Sequence, residues 1–396
     1  MAIDVGIRAE WDPLKQVLVH PPSTVETLLS LIHPEANLYE SMFSIKKAQL
    51  EHANFQDTLT EQGGVKVSLL TDALSKNPNL RKEVVDFFDY KRLDGVEFTK
   101  SEKDDNRKLQ ETVSGQLDRE LLPYLLFLSP TVELDCVGKK DDGSNKYLKI
   151  KDTLNPLGNL YFTRDQQICT DKGIVLGRMG KAPRADEPEV TKIAFCGLGI
   201  KPIYEITKGT LEGGDYIPAG DIAFIGYGER TNQAAIEELL KSGAIGFDKV
   251  AAVKGVFNQE QMHLDTWFNI YGNGRAITRH DTFYSPDRET VVYEKTSNGY
   301  ELRKAGGKIE VVPFSHLIEK ELGYDIFTVD EGEQKNYAVN FITLKDGKFI
   351  GVRQAQKTFK ELQKGDKVDV IMVDADNLTK GYGGPHCMTG PICRAV

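Results

Sequence analysis

The chain has 396 residues, 40% hydrophobic and 28% charged, with a formal net charge of −9. That length buries an ordinary core without disulfide staples, in one large domain or two smaller ones. No apolar run approaches the roughly 18 residues of a bilayer span, and no basic patch with interleaved aromatics offers a nucleic-acid surface, so a small cationic partner is the better match. The opening "MAIDVGIRAEWDPLKQVLVH" lacks the basic start and long apolar stretch of a secretory leader. Five cysteines at 136, 169, 196, 387 and 393 form neither a disulfide framework nor a zinc-spaced cluster. A cytoplasmic protein with reduced thiols and no metal or cofactor is expected.

In chain order, "LKQVLVHPP" reads as a buried strand cut by prolines, "KKAQLEHANFQDTLTEQG" as a helix, and "VKVSLL" as a strand. Residues 73–130 change to long amphipathic helix signals, including "LRKEVVDFFDYKRL" and "LQETVSGQLDRELLPYLLF", and are expected to form an all-helical insertion. Short strands with Gly, Asp or Asn turns then recur in "GIVLG", "DIAFIGYG", "KVAAVKG", "YAVNFITLKDGKFIGV" and "KVDVIMVD". Helices "NQAAIEELLKSG" and "FSHLIEKELG" interrupt them, so the class is α/β.

Four polar clusters carry the chemistry: "NPLGNLYFTRDQ", "TLEGGDYIP", "MHLDTWF" and "GYGGPHCMTGP". His263 and Asp265 are two apart, which on a strand puts both on one face; an isolated pair of this kind is most simply a surface hydrogen bond. Arg164–Asp165 reads by itself as a surface ion pair. Glu212 and Asp215 flank two glycines that permit a positive-φ turn or close backbone approach. Cys387 lies among glycines and prolines, an odd setting for a packed thiol and a good one for a functional loop. His20, His33, His52, His280 and His316 fall outside the clusters and read as turn or surface histidines.

Together the clusters supply one thiol, one histidine and the carboxylates Asp165, Glu212, Asp215 and Asp265. Carboxylates around a thiol raise its pKa and blunt it, unless the substrate is itself a cation. A planar guanidinium matches paired carboxylates, favours the thiolate beside it, and has an electrophilic central carbon. Such chemistry needs a thiolate, a histidine to move protons, and a carboxylate to keep that histidine charged.

The motifs "NLYFTRD", "EGGD", "GERT", "MHLDT" and "HCMTGPI", in this order along the whole chain, resemble those of arginine deiminase in the guanidino-group-modifying (pentein) superfamily. The resemblance implies a single catalytic domain over residues 1–396, a five-bladed α/β propeller of ββαβ modules about a pseudo-fivefold axis, with residues 73–130 as a helical bundle inserted after the first module. It implies Cys387 as nucleophile, His263 as general acid and base, and Glu212 holding His263 charged. Asp165 and Asp265 would grip the guanidinium, Asn159, Arg184 and Arg230 would bind the α-amino and α-carboxylate end, and Asp215 would support them. The implied reaction takes L-arginine to L-citrulline and ammonia through an amidino-thioether, without a cofactor, in a protein that could form a homo-oligomer. Amidino transfer, arginine dihydrolysis and deimination of another guanidine share that intermediate. Family members commonly carry an arginine in the glycine loop or just before the nucleophile, where this chain has Tyr382 and His386.

Overall fold

The computed structural model describes residues 5–143 and 145–395, so the first four residues of the segment compared with a leader lie outside the described residues. The opening strand, Leu14–Val19, is buried at every position but Lys15. It pairs in parallel with Lys66–Leu69, reached through the helix Ile45–Asp57, and antiparallel with Gly390–Arg394 near the other end of the chain. Residues nearly 400 positions apart in sequence therefore share one sheet.

The same plan recurs four times: a central strand antiparallel to the strand before it and parallel to one reached by a crossover. The sets are Gln167–Thr170, Gly173–Leu176 and Tyr204–Glu205; Tyr216–Ala219, Ile222–Tyr227 and Lys249–Lys254; Phe268–Gly272, Arg275–Arg279 and Asp325–Val329; and Ile342–Lys345, Lys348–Val352 and Asp369–Val373. A parallel pair needs a long crossover, supplied in three of these sets by the helices Glu187–Gly197, Gln233–Ser242 and Gln356–Gly365. The Tyr216–Ala219 set is widened by Glu289–Thr296 and its partners.

Between the first two sheets lie the helices Leu70–Lys76, Leu80–Phe87, Lys100–Gln116 and Leu122–Leu128. The segment is not wholly helical, contrary to expectation. Asp89–Arg92 pairs in parallel with Pro130–Lys139, itself antiparallel to Asn145–Leu154. The helix read through "LRKEVVDFFDYKRL" stops at Phe87 because its aromatic tail joins a strand some 40 residues downstream, a contact local periodicity does not register. His20 and His52 are also buried rather than at the surface, at 1% and 0% exposure. His52 lies on the core side of its helix with Phe55 and Ala48, and His20 Nε2 meets Glu26 Oε1 at 3.4 Å. Among the described residues no helix is long and apolar enough to cross a membrane.

The repeated plan positions the site. Asp165, Glu212, His263 with Asp265, Asn340 and Cys387 each stand just ahead of the strand that opens one set. Five separate loops are thereby delivered to one place.

Candidate active site

The last loop runs from a short turn, Leu378–Gly381, through Tyr382 to a turn holding Cys387, which is 3% exposed. Glycines here serve close packing rather than freedom. A Cβ on Gly383 would lie 2.4 Å from the Phe162 ring, while the left-handed residue of the loop is Tyr382, at φ 68°. The carbonyl of Cys387 accepts from the Arg164 amide at 3.1 Å, tying the loop to "FTRD".

His263 and Asp265 do not alternate along a strand. His263 is extended and Leu264–Thr266 is a 3-10 turn, so the two reach the site from a bend. Both are buried, as is the Arg164–Asp165 pair, which correct the surface readings of these residues. His263 Nε2 meets Glu212 Oε2 at 2.8 Å, and its Nδ1 lies 3.8 Å from Asp165 Oδ1. The second glycine after Glu212 makes this contact possible: a Cβ on Gly214 would stand 2.6 Å from the imidazole, whereas one on Gly213 would run into the Arg164 and Gln167 carbonyls. Neither glycine adopts positive φ, so close approach alone explains them.

Glu212 also pairs with Arg230 at 3.3 Å and accepts from the Gly180 amide at 2.8 Å. Burial works against its charge, yet the His263 hydrogen bond and charge, with Arg230 and Arg184, hold its pKa well below the usual carboxylate range. Burial likewise opposes a charged His263, but Asp165, the Glu212 hydrogen bond and Asp215 push its pKa up to about 9. The imidazole is therefore charged at neutral pH. Asp215 is raised to about 7 by burial; its Oδ1 accepts from the Leu264 amide at 2.9 Å, which sets the turn carrying His263 and Asp265.

Asp165 Oδ2 takes a hydrogen bond from Arg184 Nη1 at 2.7 Å, and Arg184 is held in turn by Glu187 at 2.7 Å. Arg230 Nη2 donates to Gln259 at 3.0 Å, and Asn159 Nδ2 to the Asn37 carbonyl at 2.7 Å. Asp265 Oδ2 accepts from His386 Nδ1 at 2.6 Å and lies 3.6 Å from Cys387 Sγ, whereas its buried Oδ1 has no hydrogen-bond partner among the described residues. Burial alone would raise the Asp265 pKa, but the hydrogen bond and charge of His386 lower it. Behind His386 lies Glu10, bonded to Arg394 at 2.6 Å and Arg164 at 3.3 Å. His386, Glu10, Glu187, Gln259 and Asn340 were not legible as site residues from their local sequence; only the position of His386 beside Cys387 drew notice.

A narrow cleft joins these groups, lined by Asn159, Phe162, Asp165, Arg184, Arg230, His263, Tyr382 and Cys387. Asp165, Glu212 and His263 offer atoms within 4.8 Å of one another, but each is already bonded to its neighbours in a way that suits proton handling. Burial, followed by the charges of Asp265 and Asp165, raises the Cys387 pKa well above that of a free thiol. Iodoacetamide labelling of Cys387 is accordingly expected to be slow at pH 7 and to quicken above pH 9. Asp265→Asn should speed labelling at pH 7 by about tenfold or more, since a removed neighbouring charge moves a pKa by a unit or more.

A family profile described as "Arginine deiminase" matches residues 36–394. The chain is 24% identical to the arginine deiminase of Halobacterium salinarum over 98% of its own length and 96% of that protein. It is 27% identical to that of Mycobacterium marinum over 100% and 99%. Among solved structures it resembles AgrE in a ternary complex with ornithine and NAD+ (TM-score 0.58, 15% identity, 96% of this chain and 39% of that one). It also resembles a dimethylarginine dimethylaminohydrolase adduct with 4-chloro-2-hydroxymethylpyridine (0.55, 16%, 96% and 100%) and the product-bound N-terminal domain of ArgZ, an arginine dihydrolase (0.56, 13%, 97% and 98%). The fold is thus α/β, with neighbours in the pentein superfamily. By the extent of the profile match and these full-length relatives, the chain belongs to the arginine deiminase family.

Proposed function

We propose that the protein hydrolyses L-arginine to L-citrulline and ammonia through a covalent adduct on Cys387. The observation that carries this reading is the meeting, at one cleft, of a buried thiol, an imidazole bound to Glu212 and the carboxylate of Asp165, with Asp265 behind the lining at 3.6 Å from the Cys387 sulfur. The guanidinium would lie between Asp165 and Asp265, its charge offsetting the carboxylates that hold Cys387 protonated. With the guanidinium bound, the thiol proton passes to solvent and Sγ adds to the guanidinium carbon, while His263, charged at the outset, gives a proton to the departing nitrogen, which leaves as ammonia. The neutral imidazole then takes a proton from water, whose oxygen adds to the amidino carbon. Collapse breaks the C–S bond, its electron pair leaving on sulfur; the new hydroxyl gives up its proton to that sulfur, which restores the thiol and releases citrulline. Arg184 and Arg230 would receive the carboxylate end and Asn159 the amino end, with Asp215 fixing the His263 turn.

The five sheets of one plan support a pentein propeller about a pseudo-fivefold axis within a single domain, with residues 73–130 as its insertion. Five cysteines with no disulfide among the described residues, two of them exposed, support a cytoplasmic setting, where a homo-oligomer would be compatible with the family reading. A second reading is favoured by the cleft lip. Tyr382 lies near Glu40, Glu260 and Glu35, whose charges add to burial in raising its phenol pKa; Glu40 and Glu260 are paired with Lys380 and Lys335 at 3.4 and 3.2 Å, so it is Glu35 that would suit a guanidine with a cationic far end.

Mass spectrometry of products from arginine, agmatine and peptidyl arginine separates these readings. Citrulline with one ammonia per arginine is expected. Ornithine with two ammonias, turnover of agmatine alone, or no product would overturn the first reading.

A further inference from the structure

Four of the five loops that open the sheet sets carry residues with an assigned role in the proposed reaction; the remaining one carries Asn340, just ahead of Ile342–Lys345. This side chain is 2% exposed and has all its hydrogen-bonding capacity in use. Nδ2 donates to Cys387 Sγ at 3.2 Å and to the Asp265 carbonyl at 3.2 Å. Oδ1 accepts from the Gly384 amide at 2.9 Å and the Cys387 amide at 3.3 Å. One amide therefore touches the sulfur, the backbone of a proposed guanidinium-binding residue and the loop between them.

Its own segment is held under constraint. Tyr337, three residues earlier, has φ 64°, and its hydroxyl donates to the Thr379 carbonyl at 2.6 Å. A side-chain-bearing residue keeps that left-handed conformation only where its surroundings hold it there. Residues 337–340 thus grip both ends of the Cys387 loop, at Thr379 and at Gly384 with Cys387.

We infer that Asn340 is a positioning residue for the proposed reaction, its amide N–H stabilising the Cys387 thiolate while its carbonyl holds the loop in place. A neutral donor is suited to this location, since a cation there would compete with a guanidinium and a carboxylate would oppose the thiolate. Asparagine is the side chain that donates to sulfur and accepts from the loop amides at once. This inference rests on the proposed cysteine chemistry, but its test needs no substrate.

The experiment follows iodoacetamide labelling of Cys387 against pH in wild type, Asn340→Asp, Asn340→Ala and Tyr337→Phe. Asn340→Asp keeps the acceptor oxygen, loses the donor and adds a charge that opposes the thiolate, whereas Asn340→Ala loses the donor and adds no charge; the labelling midpoint of each should move up by at least about one pH unit, with kcat down about tenfold or more and KM within a few-fold. Tyr337→Phe loosens the Thr379 grip and keeps the donor, so its midpoint should stay. An unmoved midpoint in Asn340→Ala, or an equal shift in Tyr337→Phe, would overturn the inference. Should the alanine variant fail to fold, an unmoved midpoint in Asn340→Asp, which also lacks the donor, overturns it equally. Failure of arginine turnover in wild type bears on the proposed function alone, since labelling reports the thiol without substrate.

Discussion

Cys387→Ser is expected to bind arginine and produce no measurable citrulline, with turnover down by about 10⁴-fold or more. Serine is close in size to the 3%-exposed cysteine, so the packing of the loop against Phe162 should survive and the loss is chemical. The hydroxyl would have to ionise where burial and the Asp265 and Asp165 charges already hold a far more acidic thiol protonated. Calorimetric arginine binding alongside a citrulline assay separates chemistry from binding. Citrulline formation near the wild-type rate would remove Cys387 from the reaction.

Glu212→Gln has the second largest expected effect and acts on both rate and stability. Glu212 Oε2 faces His263 at 2.8 Å and Arg230 at 3.3 Å, with all three side chains buried. Removing one charge from such a set costs about 3–5 kcal/mol, because the cations remain buried without their counter-charge. Thermal unfolding should start several degrees lower, and kcat should fall by about 10²-fold or more as His263 loses the partner that keeps it protonated. The pH dependence has a defined sign. His263 is raised from 6.5 to about 9 in the folded protein, so its contribution to stability is fully present below about pH 6.5 and is lost as the pH rises through 9. Wild type should therefore melt at a lower temperature at pH 9.5 than at pH 7, and Glu212→Gln should show a smaller difference. Melting curves at the two pH values read this directly; an unchanged wild-type melting temperature would contradict the charged imidazole.

The strands "LKQVLV", "GIVL", "IAFIGY" and "KVAAVK" were legible because each is a short run of β-branched and aliphatic residues closed by a turn, and each forms where its pattern says. The four polar clusters were legible because titratable groups beside glycines stand out between such runs. Burial was not. "HLD" and "TRD" look like surface pairs until loops from other sheets cover them, and that depends on pairings such as Leu14–Val19 with Gly390–Arg394. Asn340 was hidden for a related reason. In "YAVNFITL" it reads as one position of a strand, whereas Ala338–Phe341 precede the strand Ile342–Lys345. Asp89–Arg92 escaped notice because its partner lies beyond two further helices.

The pairing of Leu14–Val19 with Gly390–Arg394 has a bearing on biosynthesis. As the ribosome delivers the chain in order, Leu14–Val19 can pair with Lys66–Leu69 early, while its other edge stays open until Gly390–Arg394 has emerged. Cys387, the proposed nucleophile, sits three residues before the strand that fills that edge, so a nascent chain stalled at residue 380 would hold every acidic group of the cleft and lack that thiol. Competence would then arrive in a single late event, the docking of the C-terminal strand, and the open edge beforehand would be the point at which a translating chain is most exposed to mispairing with its neighbours.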